Sequence, residues 1–494
     1  MKIRTRFAPS PTGFMHVGNL RTALYEYLTA KHEGGTFVLR IEDTDRERYV
    51  EGATDVIYNT LKTAGITHDE GPDIGGDYGP YVQSERLSLY RPYAEQLVNE
   101  GKAYRCFCSK ERLESLRASA PEGTVVGYDR HCRDLSEEEI KKNLEEGIPY
   151  VIRQKAPLTG ESTYHDMVYG DIVIPNEELD DQILIKADGF PTYNFANVID
   201  DHTMGITHVV RGSEYLSSTP KYNALYEAFG WDIPTYIHLP LIMGKTVDEN
   251  GETVVSKLSK RHGSTGFNDL INEGFLPEAI INYIALLGWA PAGEYENREI
   301  FSMDELIKAF DIGGISKSPS VFDYDKLEWV NAEYIKNMDS DTFNSHAAPY
   351  YDELGIDSAH YALLEEMLKP RITRFTQIPE KLSFLKELAS YDIELFTHKK
   401  SKSSAESSAA ILTDVIPMLE NVSWDRESIM NVLTGYAEAK EYKNALVMWP
   451  VRIAAAGVAV TPGGCAEVLI LLGRDESVRR LKIGLSKLTN KETN

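Results

Sequence analysis

The chain of 494 residues is 42% hydrophobic and 26% charged, an ordinary composition for a folded protein with several cores. No apolar run reaches the ~18 residues of a membrane span, and "MKIRTRF" carries no apolar leader, so the expected address is the cytoplasm. A net charge of −24 argues against a generally basic nucleic-acid binder but leaves room for a local basic groove, and four cysteines do not make a disulfide framework.

The first hundred residues alternate as βαβ units. "KIRTRFA" reads as a strand, "PSPTG" as a stiff turn, and the stretch from about Asn19 to His32 as a helix stopped by Gly34 and Gly35. "TFVLRI" is a second strand, and "GATDVIYNTLKTAG" a second helix ending at Gly65. A strand, a turn and a helix N-terminus make the usual ligand crevice of a doubly wound sheet. From about Tyr104 to Lys186 the texture changes to cysteines, the helical run "SEEEIKKNLEEG" and strand-like "YVIRQKA" and "DIVIP", which reads as an inserted module. The α/β pattern resumes at "ILIKADGFPTYN" and reaches "TYIHLPLIMG". A hairpin is expected around Asp248–Gly251. From about Asp323 onward the periodicity is helical, broken at "HKKSKSS" and "TPGG". The resulting segments are 1–103, 104–186, 187–255, 256–322 and 323–494.

"RFAPSPTGFMHVGN" asks what needs a stiff turn, an imidazole and bare glycines at the mouth of a helix. A polyphosphate does: the helix end offers N–H groups and a positive dipole, and His16 can donate to a phosphoryl oxygen beside Gly13 and Gly18. A lone H-x-G is more often a surface turn. "KLSKR", Lys257 to Arg261, is the second element, a cationic loop able to stabilise charge on a leaving pyrophosphate. "MGKT" at Met243–Thr246 is not a P-loop, because Leu239 stands where that loop needs glycine.

"HVGN" and "KLSKR" resemble the HIGH and KMSKS signatures of class I aminoacyl-tRNA synthetases. "RFAPSPTG", "RIEDTDRER", "GPYVQSER", "DGFPTYNFANVIDDH" and "SKSPSVFDYDKLEWVN" resemble the bacterial glutamyl-tRNA synthetase family along almost the whole chain. The glutaminyl relatives typically have Pro and Glu where Ala8 and Ser10 stand, and a β-barrel C-terminal region. The resemblance implies an α/β fold: a Rossmann-like doubly wound parallel sheet with an inserted acceptor-end module (104–186) and an all-α anticodon-binding region (323–494). It implies a two-step reaction, in which glutamate and ATP give glutamyl-adenylate and tRNA(Glu) then takes the glutamyl group.

By the same resemblance, Arg6, Ala8, Ser10, Glu42, Tyr193, Asn197 and Arg211 line the amino-acid pocket. Thr12, His16, Gly18, Glu214 and Lys260 hold ATP, and His16, Lys257 and Lys260 stabilise charge. Where the family often has Trp after this glutamate, the chain has Tyr215. Mg²⁺ is expected to arrive with ATP. Cys106, Cys108 and Cys132 offer three thiolates, and tetrahedral zinc requires a fourth ligand. Some family members have Cys-x-Cys…Cys-x-His here; in this chain Asp134 holds the last position and His131 precedes Cys132, so a zinc site and a set of reduced thiols both stay open. Arg371, Arg374, Lys399, Lys400, Arg479 and Arg480 are candidate tRNA contacts. The resemblance favours a monomer, and leaves open whether tRNA(Gln) is also charged.

Overall fold

Short apolar segments between Pro/Gly turns form strands β1 (Arg4–Phe7) and β2 (Thr36–Leu39), which pair in parallel with Arg6 opposite Val38. A parallel pair needs a crossover, and the helix Val17–His32 supplies it. Leu20, Leu24 and Leu28 of that helix are fully buried, each contributing about 1.5–3 kcal/mol over an exposed side chain. The helix starts two residues before the sequence-based expectation because His16 caps it. This computed structural model describes residues 2–13, 15–44, 50–119, 127–259, 262 and 265–489.

Two compact units divide the chain, the first comprising 1–272 and 276–327. In it, β3 (Ala103–Cys106), β4 (Val151–Gln154) and β7 (Ile183–Ile185) form an antiparallel sheet. Strands β5 (Glu161–Asp166) and β6 (Gly170–Pro175) make an antiparallel hairpin. That hairpin joins the parallel pair β8 (His208–Gly212) and β9 (Thr235–Leu239), in the order β6-β5-β9-β8. Segment 104–186 is therefore interwoven with the parallel pair β8–β9 through the pairing of Asp166 with Tyr236.

The Thr207 N–H donates to the Arg4 carbonyl at 3.0 Å, which sets β8 beside β1. The parallel strands thus run β2, β1, β8, β9, and the connections leave β1 and β8 in opposite directions. Strands β10 (Ile242–Val247) and β11 (Thr253–Lys257) form the expected hairpin. At its tip, Gly251 takes a φ of +82°, and the Gly251 N–H donates to the Asp248 carbonyl at 3.0 Å. β12 (Ser320–Val321) adds in parallel to β10.

The second unit, 273–275 and 328–494, is helical. Its longer helices include Ser340–Glu353, Ala405–Glu420 and Arg426–Ala439, capped by Asp339, Ser404 and Asp425, whose side chains accept from the first-turn amides. The helix Asn444–Ala456 ends at left-handed Gly457, before "TPGG", and Cys465–Leu472 and Arg474–Thr489 follow. Among the described residues no helix is long and apolar enough to cross a membrane.

Candidate active site

In an open α/β sheet, ligands bind beyond the carboxyl ends of the strands where the strand order reverses. Here that point lies between β1 and β8, and a cavity of about 390 Å³ opens there. Arg6, Ala8, Ser10, Thr12, His16, Gly18, Tyr193, Arg211, Glu214 and Lys257 all line it. These residues come from segments more than 200 positions apart in sequence, and the fold brings them to one cleft. Lys260 lies outside the described residues.

His16 is the N-cap of the helix Val17–His32, its Nδ1 accepting from the Gly18 N–H at 3.1 Å. That bond leaves Nε2 to carry the proton and donate. Burial, helped by Lys257, holds the His16 pKa below the ordinary imidazole value, so the ring is a neutral donor. The helix mouth offers fewer free amides than a bare N-terminus would, because Val17 N–H also donates to the Thr265 carbonyl at 2.9 Å. An anion here would meet the imidazole instead. Gly13 adopts φ +122°, a conformation L side chains rarely take, which accounts for glycine in the turn. Lys257 ends β11, paired with Met243.

Beneath the cleft lies a buried ion network. Arg6 Nε and Nη2 donate to the two Asp201 oxygens at 2.9 and 3.2 Å, and Nη1 donates to Glu26 at 3.3 Å. Arg40, fully buried, donates to Asp201 at 2.7 Å and to Glu42 at 2.9 Å. Burial opposes every one of these charges. In spite of it, Asp201 is held below the usual carboxylate range by Arg6 and Arg40, whereas Glu26 and Glu42 stay raised.

Glu42 and Asn197 do not line the cavity: they sit in this buried layer, with Asn197 Nδ2 donating to Glu42 Oε1 at 3.3 Å. Glu42 Oε2 is buried and has no partner among the described residues. Buried ion pairs rarely add net stability.

Arg211 is surrounded by the rings of Tyr215, Tyr222 and Tyr236, at 5.0, 4.5 and 5.2 Å from its guanidinium carbon. Such faces favour a cation. Tyr215 thus supplies the aromatic contact without a tryptophan.

A second cluster lies in segment 104–186. The sulfurs of Cys106, Cys108 and Cys132 fall within 4.8 Å of one another. Asp134, expected as a fourth ligand, is exposed and outside the group, as is His131. The oxygen among the sulfurs is that of Tyr128, whose hydroxyl lies 3.2 Å from Cys106 Sγ and 3.4 Å from Cys108 Sγ and accepts from the Cys132 N–H at 3.1 Å. Hydrogen bonding to Cys132 draws the Cys106 thiol well below its ordinary pKa. Three sulfurs and one oxygen at this spacing suit a tetrahedral thiophilic cation.

The sequence reading missed Asn19, Arg21, Thr22 and Glu26, which also line the cavity. The signal was present: Asn19, Thr22 and Glu26 recur at i, i+3 and i+7, a polar stripe along one face of the helix. Arg21 donates to the carbonyls of Leu287 and Pro240, tying this helix to the turn before β10.

The switch-point cleft, the histidine-capped helix and the cationic end of β11 define a class I aminoacyl-tRNA synthetase catalytic domain. The family of tRNA synthetases class I (E and Q), catalytic domain, matches residues 2–329, and that of the anticodon binding domain matches 332–485. The chain is 56% identical over 489 residues to the glutamate–tRNA ligase of Clostridium botulinum, across 99% of both proteins. It is 54% identical to that of Clostridium novyi, across 99% of this chain and 98% of the relative. A crystal structure of a glutamate tRNA ligase from Elizabethkingia meningosepticum in complex with its amino acid superposes with a TM-score of 0.89 at 36% identity, covering 99% of this chain and 100% of that one. The chain belongs to the glutamate–tRNA ligase family.

Proposed function

We propose that the cleft binds L-glutamate and ATP side by side and joins them before tRNA(Glu) receives the product. A carboxylate oxygen of glutamate attacks the α-phosphorus of ATP. The bond to the β-phosphate oxygen breaks, pyrophosphate leaves, and glutamyl-adenylate remains. The terminal ribose hydroxyl of tRNA then attacks the glutamyl carbonyl and AMP departs.

The observation that carries this reading is that Arg6 and Arg211, near the carboxyl ends of adjacent strands, line the same cavity as His16 and Lys257. Glutamate has two carboxylates and one ammonium. Two arginines answer the carboxylates, with bidentate geometry that lysine cannot offer. The carboxylate layer beneath the cavity, Glu42 with its unpartnered Oε2 and Asp201, favours the ammonium from below. His16 Nε2–H, Lys257 and, from the sequence, Lys260 answer the phosphates, with Thr12, Gly18 and Glu214 holding the nucleotide. Ala8, Ser10 and Tyr193 complete the amino-acid pocket, with Asn197 holding Glu42 in the layer beneath it. No side chain is needed as a covalent nucleophile, so positioning and charge stabilisation carry the first step. Mg²⁺, brought by ATP, would neutralise phosphate charge.

Segment 104–186 would hold the tRNA acceptor end and 323–494 the anticodon, with 1–103 and 187–255 as catalytic halves and 256–322 as the loop and stem-contact region. Cys106, Cys108, Cys132 and Tyr128 would hold a structural zinc ion, in place of the set with Asp134. The enzyme would act as a cytoplasmic monomer. The test is aminoacylation of purified tRNA(Glu) and tRNA(Gln) with radiolabelled glutamate and glutamine. Charging of tRNA(Glu) with glutamate alone supports the reading, and charging with glutamine ends it. Glutamate on tRNA(Gln) would add a second acceptor.

A further inference from the structure

Arg211 is tethered from behind. Its Nε donates to His238 Nε2 at 3.1 Å, and its Nη2 donates to Thr219 Oγ1 at 2.6 Å. The Thr219 hydroxyl hydrogen goes in turn to the Tyr215 carbonyl at 2.8 Å, so the threonine is an acceptor toward Arg211. His238 can accept from Nε only if its Nε2 carries no proton. The other ring nitrogen fixes that. His238 Nδ1 lies 2.7 Å from Asp166 Oδ2, and a carboxylate offers lone pairs alone, so Nδ1 holds the hydrogen.

Asp166 is itself immobilised. Its Oδ1 accepts from the amides of Val168 and Tyr169 at 2.9 and 2.8 Å, and its Oδ2 accepts also from the His238 backbone at 3.1 Å. Asp166 and His238 are fully buried and do not line the cavity. The chain of bonds therefore ends at the guanidinium of Arg211, a residue that borders the cleft.

We propose that Asp166 and His238 are positioning residues: through one imidazole tautomer they fix the direction of the Arg211 guanidinium and thereby set how tightly the cleft grips the substrate carboxylate. This rests on the assignment of Arg211 to the glutamate pocket. It also gives segment 104–186 a part in that pocket, because Asp166 ends β5 while His238 and Arg211 stand on β9 and β8.

The titratable and charged groups facing His238 are Asp166 and Tyr164 from β5, Arg211 from β8, Tyr236 from β9 and Glu214 beyond β8, and the Thr219 hydroxyl lies 3.3 Å from its Nε2. Burial, reinforced by Arg211, keeps the His238 pKa below the ordinary imidazole value against the pull of Asp166. Asp166, although buried, is held below the usual carboxylate range by His238 and the two amides. The relay is a neutral imidazole on a carboxylate.

Asp166→Asn presents an amide N–H to Nδ1, which drives the imidazole hydrogen to Nε2, where it opposes the Arg211 N–H. The KM for glutamate should rise roughly 10–100-fold, the scale of one hydrogen bond to a charged group, with the KM for ATP unchanged. His238→Gln, whose amide oxygen can accept from Arg211, should keep the glutamate KM near that of the unaltered enzyme, and His238→Leu should raise it. If Asp166→Asn does not fold, the two His238 variants and the imidazole ¹⁵N spectrum of the unaltered enzyme decide. That spectrum should show a bare Nε2 and a protonated Nδ1 at neutral pH. A protonated Nε2 there, or equal losses toward glutamate and ATP in the Gln and Leu variants, would overturn the proposal. An unaltered enzyme that fails to charge glutamate overturns the pocket assignment, whereas normal charging with a flat KM series overturns only the relay.

Discussion

Arg6 grips Asp201 with two parallel hydrogen bonds, Nε to Oδ1 at 2.9 Å and Nη2 to Oδ2 at 3.2 Å, and both side chains are buried. Asp201 also receives Arg40 Nη1 at 2.7 Å, so one carboxylate anchors two guanidinium groups under the cleft. Breaking a buried pair leaves the surviving charges without compensation. Asp201→Asn is therefore expected to destabilise the fold by about 3–5 kcal/mol in urea unfolding. The sign of the pH dependence follows from the depressed carboxyl. Its contribution is complete above the unfolded carboxylate value of about 3.9 and disappears as pH falls through the lower folded value. The unaltered protein and the Asn variant should converge in acid; a constant difference down to the acid transition would contradict this assignment.

Glu26, on the opposite side of Arg6, titrates in the reverse sense. One of its oxygens accepts from Arg6 at 3.3 Å, and the other is buried without a partner among the described residues. Burial dominates and lifts its pKa well above the ordinary value. A raised carboxyl contributes stability below the unfolded value and loses it as pH rises through the folded value. Glu26→Gln removes that loss. The Gln variant should gain on the unaltered protein as pH rises above the ordinary carboxylate range, measured as the difference in urea midpoints. Parallel curves would show that Glu26 is an ordinary ionised partner of Arg6.

His16 has two separable duties, a cap and a phosphate donor. His16→Asn keeps an acceptor for the Gly18 amide but lacks Nε2–H; His16→Ala loses both. Both variants should slow glutamate-dependent pyrophosphate exchange by roughly 10²–10³, the scale of one charge-stabilising donor. Only Ala should also lose about 1 kcal/mol of stability, the worth of a cap. Lys260→Ala should slow exchange to the same extent. Near-normal exchange in these variants would remove the residues from the reaction.

What could be read from the chain follows a physical division. The Pro/Gly turn, the Asn250-Gly251 hairpin and the apolar periods are local, and β1, β2, the β10–β11 hairpin and the C-terminal helices appear where those signals lie. β5 escaped notice because "ESTYHD" is polar and only its pairing with β6 and β9 makes it a strand. The cavity residues next to motifs were legible. Those reached through tertiary contact were not: nothing near His238 in sequence announces Asp166 or Arg211, and the helical start set by His16 depends on its ring turning back to Gly18.

The cysteine cluster separates two donor sets. With Tyr128 as the oxygen ligand, Asp134→Ala should leave one equivalent of zinc bound after exhaustive dialysis, whereas Tyr128→Phe should release it or hold it more weakly. Cys132→Ser should lose it in either case. Retention by Tyr128→Phe together with loss from Asp134→Ala would reinstate the aspartate. Absence of zinc from the unaltered protein would leave three reduced thiols.

Arg480 shows why basic residues on a helix cannot be assigned to RNA from sequence. It follows Arg479 directly and both pair with Glu476, yet Arg479 is exposed, whereas Arg480 is 1% exposed and also donates to the Phe384 and Ala455 carbonyls at 2.7 and 3.1 Å. It cannot reach a phosphate without leaving the core of the second unit. Arg480→Met strands both carbonyls, and a buried acceptor without its donor costs about 1–3 kcal/mol. Unfolding of this variant should shift accordingly, while the salt dependence of tRNA binding by its folded form should not change. Lys399 and Lys400 are exposed in the turn before the helix Ala405–Glu420, so the reverse is expected for them. Replacing each by Ala should leave stability intact and make the slope of log K against log salt shallower by about one for each phosphate no longer neutralised. If Arg480→Met flattens the salt slope and the lysine variants do not, the tRNA-facing side of this unit has been assigned to the wrong residues.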